Sequence, residues 1–199
     1  AHLRTLRELR DRFVASYRQE TSAAAANGMV AHVTGELRAA AERLKEWTDD
    51  ARDDRVVVTG FADSYRRARA ALQVVLCEPT AENLHEWRKQ IKHHRYQVRL
   101  FQHAWPAMLE AHCEELKRLA DLLGDDHDLV VLRQTITEHA LVEPAAKTID
   151  ELFELLGRRR RELQAEAIPL GRLLFAEKPK HLTRRFMQYW CVYRDRELH

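Results

Sequence analysis

Residues 84–101, LHEWRKQIKHHRYQVRLF, constrain the fold most, because their pattern is that of one amphipathic helix. At about 100° per residue, one side of this helix is apolar and carries Leu84, Trp87, Ile91, Val98 and Phe101. Another side carries a row of basic or titratable residues at helical spacing, namely His85, Arg88, Lys92, Arg95 and Arg99. Residues three and four apart are neighbours on a helix surface. The apolar side predicts packing on a core, and the basic row, which has no acid along its line, predicts a surface that meets an anion.

Helical patterns recur along the whole chain. Six glycines and five prolines leave few helix breakers in 199 residues, and no segment shows the sustained alternation of a strand. The spacing predicts an all-α fold of roughly eight helices with short connections. The expected helices cover about residues 1–20, 29–48, 57–77, 80–103, 106–123, 126–141, 144–167 and 179–193.

Several details of this assignment depend on single residues. Gly124 is expected to end a helix, since glycine is common just past a helix C-terminus. Asp125 and Asp126 are expected to cap the next helix, and Pro169 is expected to interrupt a later one. The expected inner face of the helix at 29–48 carries Val30, Val33, Leu37, Leu44 and Trp47. The tryptophans assigned to the core are Trp47, Trp87, Trp105 and Trp190.

The overall composition excludes some classes of protein. With 33 Lys and Arg against 31 Asp and Glu, the formal net charge is only +2, so a basic function requires local clustering of charge. The three cysteines are widely separated and show neither a disulfide framework nor metal-ligand spacing, which favours a reducing cytoplasm. No apolar run is long enough to span a membrane, so we expect no membrane-spanning segment, and the N-terminus shows no signal peptide.

Other basic clusters could join the row. They are YRRAR at 65–69, the four-arginine run at 158–161, and Lys178, Lys180, Arg184 and Arg185 near the last helix. Arginine offers a planar fork of donors to phosphate oxygens, and lysine offers a point charge. If these helices face the helix at 84–101, a basic groove results. The competing interpretation of any one cluster is a solvated surface.

Catalytic arrangements are missing from the sequence. No glycine-rich phosphate loop or activated nucleophile is present, which predicts a binding protein with no cofactor and no resident metal. One alternative is a metal-dependent phosphoryl hydrolase or transferase that holds its metal at Asp125, Asp126 and Asp128, beside His127. A second alternative is a nucleic-acid or protein adaptor that uses the basic face, with Tyr65 and Tyr96 as candidates for base stacking.

A weak internal repeat suggests a duplication. Leu6, Asp11 and Val14 match Leu123, Asp128 and Val131 at one constant offset. Under a duplication, residues 1–54 are the tail of a first helical half and residues 55–199 form the second half.

Four segments together resemble the CHAD domain, the conserved histidine α-helical domain. They are YRRAR at 65–69, residues 84–101, LGDDHDLVVL at 123–132 and EKPKHLTRRFMQYW at 177–190. The resemblance implies two helical bundles related by pseudo-two-fold symmetry around a basic central groove. It also implies non-catalytic binding of inorganic polyphosphate. Some members are fused to a triphosphatase domain or associate with polyphosphate granules, so these are implied partners.

The resemblance also assigns binding residues. On the helix at 84–101 they are His85, Arg88, Lys89, Lys92 and Arg95, to which the basic row adds Arg99. Arg66 and Arg69 follow from YRRAR, and Lys180 and Arg184 follow from the C-terminal segment. The first half's own basic helix has no match in this sequence. We therefore expect the first half to be incomplete and the groove to be half built.

Overall fold

The computed structural model describes residues 28–45, 54–138 and 146–197, together with scattered helical positions between 7 and 22. Six long helices lie in the continuous stretches: α1 (Met29–Lys45), α2 (Asp54–Cys77), α3 (Ala81–Leu100), α4 (Pro106–Glu138), α5 (Ala146–Leu174) and α6 (Pro179–Glu197). A short 3-10 turn, Gln102–Ala104, joins α3 to α4. The residues that the structure describes include no strand, and the all-α prediction is confirmed. The pseudo-two-fold arrangement stays a prediction.

The chain divides into two compact units. The first unit comprises residues 1–53 and 142–151, and the second comprises residues 54–141 and 152–199. In the first unit, the predicted inner face of α1 is exposed: Val30 and Leu37 have exposed fractions of 70% and 66%. The prediction that this face is buried is therefore wrong for these residues. Spacing identifies an apolar face, but burial also requires a partner surface. Trp47 lies outside the described residues.

The second unit holds the hydrophobic core. The apolar face of α3 is buried as predicted, and Trp87 is fully enclosed. Trp105 is 48% exposed and stacks edge-on against Tyr189, with ring centroids 5.1 Å apart, so its assignment to the core is wrong. The largest enclosed side chains besides Trp87 are Phe61, Tyr65, Leu72, Leu84, Ile91, Phe101, Leu109, Leu116, Leu119, Leu123 and Phe186.

Helix α4 continues through the predicted break at 124–126. Gly124 does not end the helix; its buried position lies against the guanidinium of Arg88. Asp126 is not a cap either, because its carboxylate is buried and accepts both Nε and Nη2 of Arg160 at 3.1 Å. Gln164 donates to the same carboxylate at 2.8 Å. A glycine inside a helix costs about 1 kcal/mol relative to alanine, and the packing of α4 against α3 and α5 outweighs that cost.

Helix α5 also continues past its predicted break, since Pro169 lies inside it. Two residues later, Gly171 packs directly on Trp87. A Cβ atom at Gly171 would approach the Trp87 ring to 2.4 Å, so α5 can lie this close to α3 only with glycine at this position. The Asp126–Arg160 ion pair and the Gly171–Trp87 contact therefore anchor α5 on the core of the second unit.

Candidate anion-binding surfaces

The start of α3 is fixed by a cap. Asn83 N–H donates to Thr80 Oγ1 at 3.2 Å, and Glu82 lies in the first turn, near the positive end of the helix dipole. With the core-facing side chains of α3 buried, the basic row His85–Arg88–Lys92–Arg95–Arg99, hereafter the row, is set on the flank that faces α4.

Arg88 is held firmly against α4. Its Nε donates to the carbonyl of Ala120 at 3.2 Å. A Cβ at Gly124 would lie 3.1 Å from Arg88 Nε and 3.2 Å from Nη2, so the guanidinium occupies the space that a side chain at 124 would fill. This close approach gives Gly124 a role that the helix-end interpretation missed.

The first residue of the row contacts α4 through a second imidazole. The rings of His85 and His127 lie 4.1 Å apart between centroids and are tilted by 33°. His85 Nδ1 is buried and has no hydrogen-bond partner among the described residues. Burial lowers the pKa of His85, and the charges of His127, Lys89 and Arg88 lower it further, against a small opposing effect of Glu86. Free His85 is therefore neutral at neutral pH, and a bound anion would favour its protonation.

The other cations of the row form no ion pair with an acid in the described part of the chain. Arg95 is half-buried, and its Nε has no hydrogen-bond partner within the described part of the chain. Burial raises the pKa of the Cys113 thiol on α4, and Arg95 and Arg99 oppose that shift, which places both arginines near α4. Lys92 lies between Arg88 and Arg95 and forms no ion pair with any residue that the structure describes.

Lys89 differs from the row. Its ammonium pairs with Glu86 at 2.5 Å, and Gln90 donates to the same carboxylate at 2.6 Å. The Glu86 pKa is lowered by these two hydrogen bonds. Lys89 thus lies on the neighbouring flank of α3, with its charge partly neutralised.

The remaining predicted residues meet in a separate cleft between α2 and α6, hereafter the cleft. It is open to solvent, has a volume of about 830 Å³ and is lined by Ala62, Arg66, Arg69, Lys178, Pro179, Lys180, Thr183 and Arg184. Arg69 Nε donates to the Phe175 carbonyl at 3.1 Å, and Arg66 pairs with Asp63 at 2.5 Å. None of the described lining residues is a carboxylate, and none belongs to α3.

Two residues near the cleft serve the fold. Arg185 pairs with Glu177 at 2.7 Å and lies over the ring of Phe186, so it is not part of the lining. Tyr65 is buried and donates its hydroxyl to the Glu177 carbonyl at 2.9 Å. Burial raises the Tyr65 pKa to about 12. Tyr65 therefore fixes the connection between α5 and α6 and is excluded as a stacking surface for bases.

Sequence reasoning missed a buried pair of histidines. The rings of His94 on α3 and His112 on α4 lie 6.4 Å apart. Ser64 gives its hydroxyl proton to the Phe61 carbonyl at 2.8 Å, so its 3.0 Å contact with His94 Nδ1 requires a proton on that nitrogen. Burial lowers the pKa of His94 to about 3 and that of His112 to about 4. The two adjacent histidines at 93–94 did not by themselves indicate burial. Position 94, however, falls on the apolar stripe of α3, and this spacing could have predicted that His94 is buried.

The acidic cluster at 125–128 does not have the geometry of a metal site. The Asp126 carboxylate is occupied by Arg160 and Gln164 and is 1% exposed. Asp125 and Asp128 are exposed, and His127 is stacked on His85. In the described stretches, no group of three or more His, Cys, Asp or Glu residues could hold a metal ion. The phosphoryl-transfer alternative required Asp126 as a metal ligand, and this carboxylate is already bound to Arg160 and Gln164.

The fold and these surfaces define the class of an all-helical protein with clustered basic residues on its surface. The CHAD domain family model matches residues 1–137, well over half of the chain, and the chain therefore belongs to the CHAD domain family. The match contains the row, Arg66 and Arg69, whereas Lys180 and Arg184 lie beyond it. No curated protein and no solved structure matches the chain.

Family membership indicates a polyphosphate-related role, and CHAD domains are generally binding domains. Among the helices that the structure describes, none is long and apolar enough to cross a membrane.

Proposed function

We propose that this chain binds inorganic polyphosphate without catalysis, with the polymer's phosphate oxygens lying along the row. The observation that carries the proposal is the arrangement of Arg88, Lys92 and Arg95. They line one flank of α3 beside α4, with no ion-paired acid among the described residues. The unpartnered, buried Nε of Arg95 supplies a donor that a phosphate oxygen would satisfy.

The spacing of the row suits an extended polyanion. Successive members are three or four residues apart, which places a cation about every 5 Å along the helix. Arginine contributes paired hydrogen bonds, and lysine contributes charge without fixed geometry. Because several counterions would be released on binding, affinity is expected to fall steeply with salt, as it does for nucleic acids.

The members of the predicted set are expected to contribute unequally. Arg88 is pre-positioned by the Ala120 carbonyl, so it loses little side-chain entropy on binding. Lys89 must loosen its contact with Glu86, and Arg99 is exposed at the end of the row. We therefore assign the largest effects to Arg88, Lys92 and Arg95 and smaller effects to Lys89 and Arg99.

The test is a titration with long-chain polyphosphate at moderate salt. The double variant Arg88→Ala, Lys92→Ala is expected to lose about 2–5 kcal/mol of binding free energy, as for partly buried charged contacts. The matched control is Lys117→Ala, Arg118→Ala on α4, where both residues are exposed and paired with acids on their own helix. An unchanged affinity in the folded Arg88/Lys92 variant would place the site elsewhere.

The same titration addresses the alternatives. Competition with single-stranded DNA or RNA at matched charge tests the adaptor hypothesis, and release of phosphate with added Mg²⁺ or Mn²⁺ tests the phosphoryl-transfer hypothesis. Polyphosphate granules and a triphosphatase domain are the partners that we propose, in the cytoplasm, on the strength of the family alone.

A further inference from the structure

The row and the cleft lie on opposite sides of the α2–α3 pair. We infer that the cleft is a second polyphosphate site, which short chains fill independently of the row. This inference rests on the proposed function, because it assumes the same class of ligand, but it changes the number of sites and the path of the polymer.

The separation follows from the faces of α3. A polar groove of about 200 Å³ lies between α2 and α3, and α3 contributes Gln90, His93 and Gln97 to it. These residues lie roughly 150° round the helix from the row, at 100° per residue. The row therefore occupies the flank of α3 that faces away from α2.

The faces of α2 give the same result. Gly60, Asp63 and Arg67 line the polar groove. Arg66 and Arg69, which line the cleft, lie roughly 120° from them round the helix. Around the surface, the row on one flank of α3 is therefore separated from the cleft by the rest of α3, the polar groove and α2.

The surface between the two sites is unfavourable for a polyanion. Glu86 lies on the groove side of α3, where it binds Lys89 and Gln90, and Asp63 lines the groove on α2. Each carboxylate neutralises one nearby cation and would repel phosphate. A short chain is therefore expected to stay on one side, and only a long polymer would reach both.

The cleft itself fits a compact oligophosphate. Five cationic side chains line it without a carboxylate among the described lining residues. Arg66 is paired with Asp63, and the other four form no ion pair with a described residue. Arg69 is held through Nε by the Phe175 carbonyl, which leaves its terminal nitrogens for an anion. The volume of about 830 Å³ lies in the range of pockets that hold ligands of several groups. It exceeds what one inorganic phosphate needs, so several linked phosphates are the expected occupant.

The experiment is calorimetric titration with tripolyphosphate at low salt. We expect two tripolyphosphate ions per wild-type chain. Lys180→Ala with Arg184→Ala should abolish one site, and Arg88→Ala with Lys92→Ala should abolish the other. In each double variant the remaining site should keep its Kd within about twofold of the wild-type value, as for independent positions. Arg67→Ala, in the polar groove, is the control and should keep both sites.

Three results would overturn the inference. They are a stoichiometry of one in the wild type, loss of all binding in either double variant, and unchanged stoichiometry in the Lys180/Arg184 variant. If wild-type protein binds long-chain polyphosphate through Arg88 and Lys92 but gives one of these results, the second site is refuted and the proposed function stands. If wild-type protein binds neither tripolyphosphate nor the long polymer, the proposed function fails as well.

Discussion

The row and the cleft present similar charge in different ways. The row lies on one helix and faces α4. Arg88 fills the space over Gly124 of α4, and the Nε of Arg95 is buried. The cleft is open, and Lys180 and Arg184 at its edge are exposed. A partly desolvated cation interacts more strongly with an anion and is screened less by salt than an exposed one. The row should therefore bind phosphate more tightly than the cleft, and binding at the cleft should be more sensitive to salt.

Both regions depend on α5. Gly171 packs on Trp87, which lies on the helix that carries the row, and the Phe175 carbonyl just after α5 holds Arg69 in the cleft. The buried Asp126–Arg160 pair anchors α5 to α4. Loss of this buried pair is therefore expected to weaken the support of both regions.

The largest effect is expected for Asp126→Ala. Removing the carboxylate leaves Arg160 largely buried without its partner, which costs about 3 kcal/mol or more in the free energy of unfolding. Urea denaturation provides the measurement. Arg159→Ala is the control, since its pair with Glu162 is exposed and should contribute less than about 1 kcal/mol. A loss below that limit in Asp126→Ala would show that α5 is not anchored there, and the two regions would then have no common support.

The next effect distinguishes the buried histidines His94 and His112 from an exposed histidine on α3. His94 and His112 have folded-state pKa values of about 3 and about 4, against 6.5 for an ordinary histidine. At pH values below 6.5 and above these lowered pKa values, the unfolded chain binds more protons than the folded chain. The contribution of the two neutral histidines to the free energy of unfolding is therefore fully present above pH 6.5 and is lost as the pH falls toward 4. Each histidine contributes a slope of up to about 1.4 kcal/mol per pH unit.

Urea denaturation at several pH values from 7.5 to about 4.5 measures this slope. His112→Leu should reduce the slope, whereas His93→Gln, at an exposed position, should leave it unchanged. Stability that does not vary across this window would mean that the two imidazoles are not buried as neutral groups.

A smaller effect is expected for Arg69→Lys in the cleft. Lysine keeps the charge but loses the Nε hydrogen bond to the Phe175 carbonyl and the planar fork. A hydrogen bond of this kind contributes about 0.5–1.5 kcal/mol, so tripolyphosphate affinity at the cleft should fall by about threefold to tenfold. The measurement uses the Arg88→Ala, Lys92→Ala background, in which only the cleft binds. Arg67→Lys serves as the control; an equal loss in both variants would argue against a fixed Arg69.

The smallest effect is expected for Gly124→Ala in the row. The new Cβ would lie 3.1 Å from Arg88 Nε, and the side chain must shift by a few tenths of an ångström. Affinity for long-chain polyphosphate should fall by about twofold, since a displaced rotamer costs about 0.5 kcal/mol. Stability should rise by up to about 1 kcal/mol because alanine favours the helix. Tighter binding in Gly124→Ala would show that the Arg88 contact with α4 is not the productive one.

The parts of this protein that lie on one helix were predictable. Spacing alone placed His85, Arg88 and Lys92 on one flank of α3 and Trp87 in the core, because a regular 3.6-residue turn fixes which side chains share a face. The start of this helix was also predicted to within one residue, since about residue 80 was expected and α3 begins at Ala81. These features need no information from elsewhere in the chain.

Pairings between distant segments were decided by the tertiary structure. The sequence around Gly124 and Asp126 has the pattern of a helix end, yet Arg88 fills the space over one and Arg160 pairs with the other. The spacing of charges along the sequence could not show that Arg69 lies beside Lys180 and away from Arg88. Their relative positions depend on how α2 packs against α6 and α3. Local periodicity determines the faces of each helix, and only packing determines which faces meet.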